Sequence, residues 1–261
     1  MLRNIKSLTG FIIHATDGEL GQVDEFYFDD RTWDIRYLVV KTGGWLSGRK
    51  VLISPAAFKT PDWKSKSFPV ALTLEQVRNS PDVDTEKTVT RQHELDLHNH
   101  YAWPIYWGDG FYAGSMSGGT LFPPAAEKEE KEPLGAAEAN HLQGTRAVKG
   151  YRVHAADGLI GHVDDYILED GQWIIRYLVA DTGAWLPGRK VLISPGWIET
   201  VDWETEEVFV FLSREEVQDS PVYDPSGPLS PDYISQLHDH YGRPKSEAGG
   251  GAAAPARGRK G

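Results

Sequence analysis

The chain repeats itself at a fixed spacing of 140 residues, and that repeat limits the folds open to it more than any other feature. Ile35-Arg36-Tyr37-Leu38-Val39 returns as Ile175-Arg176-Tyr177-Leu178-Val179. Gly48-Arg49-Lys50-Val51-Leu52-Ile53-Ser54-Pro55 returns as Gly188-Arg189-Lys190-Val191-Leu192-Ile193-Ser194-Pro195. The register also holds for Asp17/Asp157, Gly21/Gly161, Trp33/Trp173 and Trp63/Trp203. It persists at His98, His100 and Tyr101 against His238, His240 and Tyr241. An ungapped register that long describes a duplicated domain, not a solenoid of short units. Each copy is long enough to bury a small core, so each half is expected to fold alone.

Within one copy the pattern is that of strands. Phe11 to Ala15 reads as a short strand closed by the turn Asp17-Gly18, where glycine accepts positive φ. Leu20 to Phe28 is the next strand. In Trp33 to Val40, strand alternation puts Trp33, Ile35, Tyr37 and Val39 on one face, read as interior. Arg36/Arg176 on the opposite face are expected to pair with Asp24/Asp164 on the neighbouring strand. Arg49 to Ser54 is a strand stopped by Pro55. Trp63 starts a hairpin that continues through Phe68 and Val70. Thr73-Leu74-Glu75-Gln76 and Ser213-Arg214-Glu215-Glu216 read as capped helix starts. A second helical stretch, roughly Glu86 to His98, follows the first of them.

Short strands separated by turns indicate a mainly β chain made of two small barrels, each with short C-terminal helices. About six strands would make a narrow barrel filled by its own side chains, which leaves surfaces and loops to carry function. The expected units are a first barrel with a helical and aromatic extension over 1–115 and a second barrel over 144–244. Residues 116–143, rich in Gly, Pro, Ala, Glu and Lys, are expected to be a flexible linker, and 245–261 a disordered tail.

Composition removes several classes of function. There is no cysteine, which excludes disulfides, thiol catalysis and thiolate metal sites. A net charge of −11 disfavours nucleic acid as a partner. No apolar run approaches the roughly 20 residues of a membrane-spanning helix. Met1 to Ala15 is too polar for a signal-peptide core. The expectation is a cytoplasmic protein without membrane insertion, with peripheral association at the cytoplasmic membrane face left open.

The arrangement Asp-Gly-x-x-Gly-x-Val-Asp, Arg-Tyr-Leu-Val, and Thr-Gly-x-Trp-Leu-x-Gly-Arg-Lys-Val-Leu-Ile-Ser-Pro resembles the PRC-barrel family, over residues 4–107 and again over 144–244. The resemblance implies a compact β-barrel used in protein–protein contact, without a common catalytic centre. In one branch of the family the domain is the cytoplasmic part of the photosynthetic reaction centre H subunit. In another it is the C-terminal part of a ribosome maturation factor. The chain looks closer to stand-alone tandem PRC-barrel proteins. The reading is a non-catalytic interaction or scaffolding module that takes a protein partner, with self-association through the barrels and no cofactor. A reaction-centre-like accessory role, a ribosome or RNA maturation role and a metal-dependent hydrolase are the alternatives.

Five places carry candidate chemistry. His98/His100 and His238/His240 are weak metal candidates. On a helix, residues two apart point apart, so these pairs fit a helix end better than a chelate. His14/His154, three residues before Asp17/Asp157, read as a turn contact. Arg49-Lys50 are expected to lie along the barrel wall with their charges in solvent. Trp103, Trp107 and Phe111 form an aromatic stretch absent from the second copy. It either covers the first barrel or offers a partner patch. Finally, Lys59, Lys64 and Lys66 stand where the second copy has Glu199, Glu204 and Glu206. This charge reversal is either surface drift or the mark of hairpins that meet across an interface.

Overall fold

The computed structural model describes residues 1–46, 48–82, 89–107 and 141–242. The expected linker (save residues 141–143), the expected tail and Phe111 lie outside the described residues.

The first half contains β1 (Leu2–Asn4), β2 (Ile12–Ala15), β3 (Gly18–Asp29), β4 (Ile35–Thr42), β5 (Lys50–Ile53) and β6 (Ser67–Pro69), then α1 (Leu74–Arg78) and α2 (Arg91–Tyr101). The second half contains β7 (Leu142–Gly144), α3 (Thr145–Val148), β8 (Arg152–Ala155), β9 (Gly158–Glu169), β10 (Ile174–Asp181), β11 (Lys190–Ile193), β12 (Ile198–Asp202) and β13 (Glu207–Val210), then α4 (Arg214–Asp219) and α5 (Pro231–His240). The chain is mainly β, with two sheets of six and seven strands. One runs β5-β4-β3-β2-β6 and the other β11-β10-β9-β8-β13-β12. Consecutive strands pair antiparallel; β2 with β6, and β8 with β13, pair parallel.

The sixth and seventh strands come from the opposite half. β1 pairs with β9, Asn4 opposite Ile167 and Leu2 opposite Glu169. β7 pairs with β3, Gly144 opposite Tyr27 and Leu142 opposite Asp29. Tyr27 and Phe28 also pair with β4, so β7 must lie on the β3 edge that β2 occupies further along. Each half therefore gives its first strand to the other half's sheet, about a local twofold.

Other contacts repeat the exchange. The Ile35 amide donates to the Trp173 carbonyl at 2.7 Å, and the Ile175 amide to the Trp33 carbonyl at 2.8 Å. Both tryptophans sit at positive φ, +62° and +58°, in the turns before β4 and β10. Trp173 reaches into the first half, with ring centroids 4.7 Å from Phe58 and 5.3 Å from Phe68. The Lys6 amide donates to Asp165 at 3.2 Å and the Arg146 amide to Glu25 at 3.3 Å. Buried side chains from both halves join in one apolar cluster.

Two local features follow from sequence. Thr73 and Ser213 open α1 and α4 with reciprocal caps, each hydroxyl accepting the amide of the third helical residue, Gln76 or Glu216, whose side chain reaches back. Gly21 and Gly161 lie where a Cβ would come within 2.2 Å of the Lys41 carbonyl oxygen and 2.0 Å of that of Asp181. Only glycine lets these strands approach so closely.

Two expected placements are corrected. Arg36 does not pair with Asp24: it bonds Asp34 at 2.9 Å, and Arg176 bonds Glu169 at 2.7 Å. Asp24 is instead held by Lys50 at 3.0 Å and, from the other half, by Arg146 at 2.6 Å. Arg49 does not lie with its charge in solvent; it donates to the Ser80 and Pro81 carbonyls at 2.9 and 3.0 Å and caps the chain after α1.

Candidate interaction surface

The histidine pairs do not converge. His98 is buried, with Nε2 2.9 Å from the Tyr37 hydroxyl. His100 lies outside, with Nε2 2.8 Å from the Gln76 carbonyl. The second half repeats this: His238 Nε2 is 2.8 Å from the Tyr177 hydroxyl, and His240 Nε2 is 2.7 Å from the Glu216 carbonyl. The two side chains of each pair leave the helix in different directions. Among the described residues no group of His, Asp and Glu is arranged to hold a metal ion.

In the first half the Tyr–His contact belongs to a larger buried network. Tyr37 donates to Glu94 Oε1 at 3.0 Å, so the 2.9 Å contact has His98 Nε2–H donating to the tyrosine oxygen. Tyr106 also donates to Glu94 Oε1, and Arg91 binds Oε2 at 2.7 Å. Burial raises the Glu94 carboxyl above the usual range although Tyr106 and Arg91 oppose it. Burial likewise lowers His98 and pushes the Tyr37 and Tyr106 hydroxyls far up.

Trp103 and Trp107 complete this network. Trp103 stacks on Tyr101 at 4.2 Å, and Trp107 lies 4.9 Å from the His98 ring with Arg91 4.4 Å above it. The aromatic stretch, as far as it is described, is turned inward against α2. The second half solves the same packing problem from a different position. Trp197, which replaces Ala57, lies 5.4 Å from His238 and 4.5 Å from Tyr241. Ile234 stands in place of Glu94.

A cleft of about 160 Å³ lies on the local twofold between the halves. Two of its carboxylates are in ion pairs, Asp24 as above and Asp164 with Lys149 at 3.3 Å and with Lys190, while Glu25 and Asp165 accept the Arg146 and Lys6 amides. Burial raises Glu25 and Asp165.

The two reversed-charge hairpins share a backbone. Asp62 Oδ1 accepts the Lys64 amide at 2.9 Å and the Ser65 amide at 3.3 Å. Asp202 Oδ1 accepts the Glu204 and Thr205 amides, both at 3.0 Å. Lys59, Lys64, Lys66, Glu199, Glu204 and Glu206 are all exposed. No ion pair among the described residues joins the lysines to the glutamates, so the structure does not bring the hairpins together within the chain.

An apolar row runs beside the acidic hairpin. His154 on β8 is flanked by Leu159 on β9 and by Phe209 on β13, all outward-facing, and Phe211 follows two residues on. Leu159 and Phe211 are 47% and 48% exposed. The His154 and Phe209 rings stack at 5.1 Å. At the same places the first half has Glu19, Pro69 and Ala71. In sequence the row shows only in a comparison of outward positions at the 140-residue offset.

No helix among the described residues is long and apolar enough to cross a membrane. Comparison with curated proteins finds no match. Residues 4–65 match the family model of the PRC-barrel domain, which spans β2 to β5 and the Gly-Arg-Lys-Val-Leu-Ile-Ser-Pro run. Residues 4–65 of the first half thus resemble a PRC-barrel domain.

Proposed function

We propose that the chain is a non-catalytic protein–protein interaction module of the cytoplasm, built from two PRC-type units that act as one scaffold. The observation that carries this reading is the row Leu159, Phe209 and Phe211. Large apolar side chains left outside on one sheet, and replaced by Glu19, Pro69 and Ala71 on its counterpart, suit a docking surface better than a general property of the fold. The buried Tyr37–His98–Glu94 network supports the same reading. Glu94, Tyr37 and His98 Nε2 are engaged with one another and with Arg91 and Tyr106, and hold the helix on the sheet.

The test uses the full chain as bait in extract of its native host, beside a Phe209→Ser/Phe211→Ser variant. Loss of specific captured proteins, with an unchanged thermal unfolding curve, is the expected result. Unchanged capture would remove the apolar row as the docking surface.

A further inference from the structure

The two hairpins are one shape with opposite charge. Both use an Asx turn on Asp62 or Asp202, and both place a residue at positive φ, Lys66 at +52° and Glu206 at +59°. Identical charges on equivalent faces would repel if those faces met. The reversal from Lys59, Lys64 and Lys66 to Glu199, Glu204 and Glu206 removes that repulsion and favours the mixed pair. Size is reversed in the same direction. Phe209 and Phe211 project from the acidic face, where the basic face has Pro69 and Ala71. One face thus carries bulk beside an acidic hairpin, and the other Pro69 and Ala71 beside a lysine hairpin, with Glu19 where the first has Leu159 and with Arg152 on the acidic side held by Glu207. Within the chain they do not pair, and Leu159 and Phe211 stay half-exposed.

We infer that the occupant of the acidic, apolar face is a second copy of this chain, which docks with its lysine hairpin. This rests on the reading of the apolar row as a docking surface and names its partner. Each copy offers one face of each kind, so the contact either closes as a twofold dimer, each lysine hairpin on the other copy's acidic face, or continues head to tail into a ring or an open filament. Its ion pairs would be exposed, each contributing little, so association is weak and concentration-dependent. It also weakens with salt, because exposed charges are screened beyond about 10 Å at 0.1 M ionic strength.

Sedimentation velocity of the full chain tests this at low and at high salt. At low salt the average mass should rise with concentration, and high salt should reverse the rise. Lys64→Glu with Lys66→Glu should weaken association by about tenfold or more. Adding Glu204→Lys with Glu206→Lys should restore it. Phe211→Ser should abolish it, and the unfolding curve of every variant should match the parent. A chain that stays monomeric at all concentrations overturns the inference, as does association indifferent to the lysine reversal or a reversal that fails to rescue. Loss of a host protein on Phe211→Ser, with no self-association in the parent, would leave the interaction reading standing and remove the second copy as its partner. If Phe211→Ser alters neither capture nor association, both fall.

Discussion

Tyr37 and Tyr177 hold equivalent places, but only Tyr37 works between two buried partners. Its oxygen accepts from His98 and its proton goes to Glu94, which is 0% exposed. Tyr37→Phe leaves both without that partner and should cost about 1–3 kcal/mol of stability, read by denaturant unfolding. Tyr177→Phe should cost less, because Ile234 needs no partner. The network also predicts a pH dependence. Burial holds His98 below its ordinary 6.5, so the folded state binds fewer protons than the unfolded one below that pH. The stability from neutral His98 is present above 6.5 and is lost as pH falls from there to the folded value. Glu94, raised by burial, acts with the opposite sign, since its proton favours the folded state. The comparison with His98→Gln isolates the histidine: between pH 7 and about 5 the melting temperature of the parent should fall more steeply than that of the variant. At the same scale, Gly21→Ala forces a Cβ to within 2.2 Å of a carbonyl oxygen and should lower the melting temperature sharply.

The local elements are where the sequence is most readable. Strand alternation, the Asp-Gly turn and the capping boxes of α1 and α4 depend on neighbours in the chain, so their signals sit beside them. Ser213→Ala should cost about 1 kcal/mol by removing the Glu216 amide's acceptor, checked by thermal unfolding. What depends on distant elements is less readable. The Arg36 strand alternates as expected, yet its guanidinium turns along the strand end to Asp34 instead of across to Asp24, which Arg146 from the other half holds. The aromatic cover of α2 was visible as a run of tryptophans, but its counterpart was not. Trp197 fills the matching space from the turn before β12, at a position where the first half has Ala57. A position-by-position comparison of the copies cannot see a side chain supplied from elsewhere.

For the whole molecule, the repeat shows two units but not how they join. Leu2-Arg3-Asn4 and Leu142-Gln143-Gly144 are too short to say which sheet they enter, and the pattern is the same for either choice. The exchange bears on the expectation that each half folds alone, because each sheet lacks one strand without the other half. Denaturant-dependent hydrogen exchange at the amides of β4 and β10 should therefore show one common opening free energy. Cysteine pairing tests the exchange most directly, since the chain has no cysteine of its own. Leu2 lies opposite Glu169 across the halves, whereas an unexchanged strand would place it opposite Asp29, the equivalent residue of its own half. Leu2→Cys with Glu169→Cys should form an intramolecular disulfide in the monomer under mild oxidation, and Leu2→Cys with Asp29→Cys should not. Crosslinking of the Asp29→Cys pair instead would contradict the exchange.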